Sequence, residues 1–586
     1  MNKLSRVFVM MTILGTMFTS CGGGNTEEAP DDPFDVRNAA TPVITLQPAS
    51  STYSSGDPIE PLTVEATVSD TGVLSYQWYS NTSFANSGGT AIAGQTETSY
   101  TPPNTTGDGY YYVVVTNTNE NAEQVKTRTI ASSPALIRIS DQPITAPSAS
   151  VSIDTGTKYQ YVRGFGGMSN VWTSPDMQLQ DIDTMFSPEG LGLNILRICL
   201  YPDMDLIVQN QGEQTEGIDN MDYYDFVARV NAYGGYVLAS PWTMPAEWKT
   251  NNSRTGGGSL MPQYYQTYAN YLRDYCQTML NNGAPIYAVS IQNEPNWTAT
   301  YDGCEWTPAE MRDFFKQVGH FTDGVSGFGG GKEIASVRTV NGESANNPNI
   351  NDAALDDPDA AKHIDFIARH IYGDVQHRYD KAIDMGKEVW QTEHNINSGT
   401  AATYPNDSTW NYVWRFLNEV DVSVRLNDEN AFIWWYSKRF YSFIGDGEYG
   451  TINHEILPRG YAMSHYAKFA KETNRVGVTA LGIDRFNNTT YDQDSTHVKA
   501  TAYESLDGNS LSLVIFTPTT ITGANGVNVG DLQINLPEGF TARTAYAIIS
   551  TNEKKAADEP VVLSKDKKSA IINLPASAIL SVKFTK

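Results

Sequence analysis

Two glutamates stand at the ends of two short apolar runs. Ala288-Val-Ser-Ile-Gln-Asn-Glu-Pro295 carries Glu294, and Lys387-Glu-Val-Trp-Gln-Thr-Glu-His394 carries Glu393. Ala288 to Ile291 are small or apolar with two β-branched members, the composition of a strand covered on both faces. Pro295 has no N–H for a ladder and restricts Glu294, so the strand is expected to stop there. Two carboxylates at strand ends can divide labour. Burial and a neighbouring like charge keep one protonated as a general acid, while hydrogen bonds to the charged form keep the other ionised. That is the equipment for breaking a glycosidic bond, and carboxyl groups about 5–5.5 Å apart would mean retention of configuration. Asn293, next to Glu294, is placed to donate to a sugar hydroxyl.

Such a pair needs a scaffold that presents strand ends on one face. Eight strand patterns alternate with helical stretches: Tyr161–Met168, Leu193–Leu200, Gly235–Ser240, Ile286–Gln292, Glu333–Val340, Phe366–His370, Glu388–Thr392 and Phe432–Tyr436. Helix signals lie between them, as in Pro262–Asn281 and in Thr307–Val318, where Thr307, Pro308 and Glu310 form a start signal. Eight such units over residues 160–470 predict an α/β TIM (β/α)8 barrel. At roughly 30 residues per βα unit, Glu294 and Glu393 sit about three strands apart on its C-terminal face.

The flanks read differently. Lys3 and Arg6 precede an apolar stretch, Val7–Phe18, that is too short to span a bilayer and ends at Phe18-Thr-Ser-Cys21. Residues 1–21 resemble a bacterial lipoprotein signal peptide with Cys21 as the lipidated residue, and 22–40 an acidic tether. The expected location is the bacterial cell surface or periplasm, on an outer-membrane lipid anchor. Residues 41–140 read as an immunoglobulin-like β domain around Trp78 and the strand Tyr110–Thr116, serving as a spacer or a carbohydrate-binding module. Residues 150–159 and 471–586 read as one side β domain. Of the remaining cysteines, Cys199, Cys276 and Cys304, Cys304 reads as a packed free thiol, and no spacing suggests zinc. A net charge of −26 argues against a nucleic-acid partner, while 33 Tyr and 11 Trp suit sugar contacts.

Five motifs, Gly164-Phe-Gly-Gly, Ser240-Pro-Trp, Gln292-Asn-Glu-Pro, Arg369-His-Ile-Tyr and Trp390-Gln-Thr-Glu-His, fall in the order seen in glycoside hydrolase family 30. The resemblance runs from about Val151 to the C-terminus and includes the fused side β domain. It implies a retaining mechanism, with Glu294 as acid/base, Glu393 as nucleophile and Arg197 holding the nucleophile ionised. Asn430-Ala-Phe-Ile-Trp-Trp-Tyr-Ser-Lys-Arg-Phe-Tyr441 resembles the last barrel strand and loop of the family's bacterial glucuronoxylanases. There an arginine and a tyrosine grip the carboxylate of a (methyl)glucuronic acid branch; Arg439 and Tyr441 match them, and Ser398 matches an assisting serine. Ser437-Lys438 and a longer loop, Ile444 to Leu457, depart from the pattern. Trp172, Trp242, Trp248, Trp297 and Tyr372 follow strands and are candidate sugar platforms, Tyr372 nearest the scissile sugar. The expectation is a monomeric endo-β-1,4-xylanase acting on glucuronoxylan, with no metal or organic cofactor. Its rivals are another family 30 β-glycanase, such as an endo-β-1,6-glucanase, and a non-catalytic glycan-binding surface protein.

Overall fold

The computed structural model describes residues 38–141, 146–169, 177–202, 223–396 and 410–586. Eight parallel strands close into a barrel: β1 (Gly164–Met168), β2 (Ile195–Leu200), β3 (Tyr236–Pro241), β4 (Ala288–Ser290), β5 (Arg338–Val340), β6 (Phe366–His370), β7 (Glu388–Glu393) and β8 (Ala431–Trp434), with β8 pairing back to β1. The TIM barrel read from the sequence is therefore present. Its strands are buried almost throughout, which is why they read as continuous apolar runs rather than alternating ones. Ile195, Leu238, Ala288, Val340, Phe366, Trp390 and Ile433 fill the barrel interior as one cluster. The outer faces of the strands pack against helices, including the 17-residue Tyr265–Asn281. Thr307 caps Pro308–Val318 with the reciprocal Glu310 contact that its sequence announces.

Two strands are shorter than their sequence patterns. The run Glu333–Val340 contributes only Arg338–Val340 to the barrel, because Lys332–Ile334 pairs with Gly327–Gly329 instead. Gly330 and Gly331, at φ 62° and 71°, make the tight turn that diverts it. The run Tyr161–Met168 is split: Tyr161 ends a 14-residue strand, Ala149–Val162, and only Gly164–Met168 enters the barrel.

Ala149–Val162 pairs with Thr473–Leu481 and with Gly530–Asn535, so the segment before the barrel is stitched into the sheet that follows it. That side domain has its own apolar core. The N-terminal β domain is organised around fully buried Trp78, whose indole N–H donates to Glu97 O at 2.9 Å. It begins before residue 41, since Ala39 N–H and Ala40 N–H are already bonded to Val125 O and Asp70 Oδ2. Ser50–Ser54 pairs with Val562–Leu563, which carries the sheet on into the side domain. Cys199, Cys276 and Cys304 are buried free thiols. No helix among the described residues is long and apolar enough to cross a membrane. Cys21 and the leader lie outside the described residues.

Candidate active site

Alternation along the parallel strands places Ile195 and Arg197 of β2, and Phe366, Ala368 and His370 of β6, on the barrel's inner side. On β7 a register shift intervenes: Arg369 is opposite Gln391, but His370 is opposite Glu393. The extra residue turns Glu393, rather than Thr392, toward His370, the re-aiming a bulge provides.

Glu294 reaches the same place from beyond β4. Its φ of 47° lies in the left-handed region, which is strained for a residue with a Cβ. Neighbouring loops hold it there. Asn293 N–H donates to Pro241 O, Glu294 N–H to Glu343 O and Glu343 N–H to Gln292 O, each at 2.8 Å. The Gln292 side chain donates to Trp242 O at 2.7 Å and to Asn293 O at 2.8 Å.

The result is a compact group. Oxygens of Glu294 and Glu393 and a ring nitrogen of His370 lie within 4.8 Å of one another. Arg197 is fully buried; it donates to Glu393 Oε2 at 2.6 Å, Asn293 Oδ1 at 2.7 Å and Ser240 Oγ at 3.0 Å, and pairs with Glu343 at 3.0 Å. With Asn293 Oδ1 occupied by Arg197, its amide N–H groups are left to face the cavity. The Tyr372 hydroxyl donates to Glu393 Oε1 at 2.8 Å. Burial, and then the Glu393 charge, push that hydroxyl well above the usual tyrosine range, so it stays a donor. The Arg197 guanidinium and the Tyr372 hydroxyl thus address one oxygen each of Glu393.

Glu294 is handled differently. His370 Nδ1 is 3.0 Å from its Oε1, and the Tyr301 hydroxyl also bonds to it. Burial pushes the Glu294 carboxyl up, but the hydrogen bond and charge of His370, with the Arg197 charge and Tyr301, hold it below the ordinary range, the reverse of the raised carboxyl the sequence reading expects of a general acid. His370 is fully buried, and its Nε2 lies 4.0 Å from Glu393 Oε2, so one imidazole stands between the two glutamates. The trio has the donor set of a small cation site, but Arg197 and Tyr372 compete with any cation for Glu393.

Above this floor is an open cavity of about 550 Å³ lined by Trp242, Asn293, Trp297, Tyr301, Tyr372 and Trp435 along with the two glutamates. Trp297 is 54% exposed. Trp242 is buried, with the Arg197 guanidinium over its ring, 4.9 Å from the centre. Tyr372 presents a half-exposed ring while its hydroxyl is sealed against Glu393. Trp248 does not join the lining: it packs on Tyr264 and Tyr271 at the helix Tyr265–Asn281. Arg439 and Tyr441 follow β8 and stand outside the lining; Arg439 is partly exposed and Tyr441 is buried. Trp172 and Ser398 lie outside the described residues.

Three members of the group carried no sequence assignment: His370, Tyr301 and Glu343. Glu343 follows β5. It stands three residues past Val340, so the strand pattern itself does not reach it.

With this geometry in hand, the chain can be compared with known proteins. Residues 166–400 match the family model described as the glycosyl hydrolase family 30 TIM-barrel domain. Glucuronoxylanase XynC of Bacillus subtilis strain 168 is 28% identical over 340 residues, 55% of this chain and 70% of that one. The crystal structure of a glycoside hydrolase family 30 subfamily 8 xylanase from Clostridium acetobutylicum superposes with a TM-score of 0.60 at 26% identity, covering 75% of this chain and all of that one. A solved endo-β1,6-glucanase shares the fold at 18% identity and a TM-score of 0.51, over 76% of this chain and 96% of its own.

Proposed function

We propose that this chain, whose residues 166–400 match the glycosyl hydrolase family 30 TIM-barrel model, is a retaining endo-β-1,4-xylanase of that family that cuts glucuronoxylan with recognition of (methyl)glucuronic acid branches. The observation that carries the reading is the placement of Glu294 and Glu393 oxygens within 4.8 Å, each with its own set of donors, at the bottom of an aromatic cleft. That separation falls on the retaining side of the divide, since inverting pairs stand about 6.5–9.5 Å apart to admit a water. Glu393, held in place by Arg197 and Tyr372, attacks the anomeric carbon. Glu294 protonates the leaving oxygen and then, as base, takes a proton from the water that hydrolyses the glycosyl-enzyme. Asn293 donates to a hydroxyl of the reacting sugar, and Trp297, Trp242 and Tyr372 stack on neighbouring rings.

The choice of xylan is supported by similarity to XynC and to the clostridial xylanase, and the choice of branch by Arg439 and Tyr441. A guanidinium fork suits a carboxylate. The leader, with Cys21, supports attachment to the outer membrane, which labelling with a radioactive fatty acid in wild type and Cys21→Ala would test. Product analysis on glucuronoxylan, arabinoxylan, linear xylo-oligosaccharides and β-1,6-glucan in parallel, with NMR of the first-formed anomer, tests the activity. The expected result is β-configured xylo-oligosaccharides, with the branched polymer preferred. Cleavage of β-1,6-glucan alone would overturn the xylanase reading, and an inverted anomer would overturn the mechanism.

A further inference from the structure

The loop after β8 that is long in the sequence folds back on itself: Ile444 pairs with Ile456, and Gly445 N–H donates to Glu455 O at 2.8 Å. The fold-back delivers Asp446 to Arg439. Asp446 Oδ1 accepts from Glu448 N–H at 3.0 Å and from the Thr451 hydroxyl at 3.2 Å, the side-chain-to-backbone turn that aspartate favours. Its other oxygen, Oδ2, is buried, takes no hydrogen bond, and lies 3.7 Å from Arg439 Nη1. The Arg439 side chain remains 31% exposed beside the Phe440 ring.

We propose that Asp446 is a specificity-determining residue: an internal carboxylate held against Arg439, so that an acidic branch on the substrate is accepted but not required. The inference rests on the xylanase reading above. At 3.7 Å the contact is an ion pair without a hydrogen bond, so the guanidinium keeps N–H groups for a ligand. A glucuronate arriving there shares one positive charge with Asp446 and meets a like charge beside it, which reduces what its binding gains. Neutral stretches of xylan lose nothing, because Arg439 stays paired without them. Buried Lys438 cannot relieve the competition, since its ammonium is held by Asp181 at 3.0 Å.

The test compares wild type, Asp446→Asn and the double variant Asp446→Asn/Arg439→Ala, each as the full chain in a Glu393→Gln background. Calorimetry measures affinity for a glucuronic acid-branched xylo-oligosaccharide and for its linear counterpart. Asparagine keeps the oxygen that Glu448 and Thr451 use, so the loop is retained. The ratio of branched to linear affinity should rise roughly two- to five-fold in Asp446→Asn, the scale of a partly exposed ion pair. The rise should vanish when Arg439 is also replaced. A ratio that stays level or falls, a rise that survives loss of Arg439, or failure of the branched ligand to bind either protein overturns the proposal. Hydrolysis by the active wild type is scored separately: absence of xylan cleavage alongside the expected shift in ratio would overturn the proposed activity and leave the role of Asp446 standing.

Discussion

Two arginines stand at the same end of the barrel and do opposite kinds of work. Arg197, on β2, is sealed from solvent and touches Glu393, Asn293, Ser240 and Glu343 at 2.6–3.0 Å. Arg439, past β8, is partly exposed and has one carboxylate neighbour at 3.7 Å. At the floor a low effective dielectric and short charge-assisted contacts make substitutions expensive. At the rim, water screens the contacts and loops supply the partners, so affinity for one substituent or another can change without disturbing the chemistry beneath.

The sharpest way to break that contrast is to remove the floor's reacting groups. Glu393→Ala should lower kcat on every substrate by about 10⁴-fold or more, because the covalent route is gone. Glu294→Ala should cost about 10²–10⁴-fold on xylan and far less on an aryl xyloside with a very good leaving group, which needs no proton. Added azide should restore the second step of Glu294→Ala with retained configuration, and should not do so with Glu393→Ala. Indistinguishable behaviour of the two variants toward the aryl glycoside and azide would remove the division of labour.

Next comes stability. Arg197→Met leaves Glu343 and Glu393 buried without their shared cation, an arrangement that destabilises by about 3–5 kcal/mol. Arg439→Ala removes a looser contact, 3.7 Å with no hydrogen bond, from an arginine that is partly exposed, and should cost less than Arg197→Met even though it leaves Asp446 Oδ2 buried without its cation. Denaturant titrations of the two variants would show whether floor and rim differ as sharply as their burial implies; equal losses would mean that they do not.

The same contrast explains what could be read from the chain. The floor was legible because its residues end strands: Gln292-Asn-Glu-Pro and Trp390-Gln-Thr-Glu carry both a burial pattern and a chemical type. Arg197 was legible through the family resemblance, which implies an arginine on the second strand beside the nucleophile. Glu343 was missed because it stands three residues beyond the last strand residue, Val340, and only its backbone contacts with Gln292 and Glu294 bring it back to the site. Trp248 was misassigned because an aromatic after a strand can turn either to the cleft or to the helix behind it, and local sequence does not distinguish them. Asp446 was invisible, since its meeting with Arg439 depends on a fold-back closed by Gly445 and Glu455.

A smaller effect tests the rim's part in specificity. A charge-assisted hydrogen bond to a carboxylate contributes about 1.5–3 kcal/mol, or about a 10- to 150-fold change. Arg439→Ala should lower kcat/KM on glucuronoxylan within that range, toward its lower end because Asp446 already takes part of the charge. On linear xylo-oligosaccharides the loss should be much smaller. Equal losses on both substrates would mean that Arg439 supports the cleft rather than reading the branch.

The smallest expected effect is a displacement rather than a loss, and it probes how the floor handles a proton. Glu294 lies below the ordinary carboxylate range although its burial pushes the other way, and His370, at 3.0 Å, is the largest cause of the lowering. The high-pH limb of kcat/KM reports loss of the acid's proton in the free enzyme. A group that lowers the pKa of Glu294 brings that limb to lower pH, so removing the group must move it to higher pH. His370→Leu deletes both hydrogen bond and charge and should give the larger upward movement. His370→Gln keeps a donor without the charge and should give a smaller one. Rate at the optimum will fall in both variants for reasons of packing, since His370 is fully buried, so the fall carries no information about the proton. The position of the limb does. A limb that stays in place in both variants would show that Arg197 and Tyr301 alone set the acid, and that the imidazole between the glutamates serves only to space them.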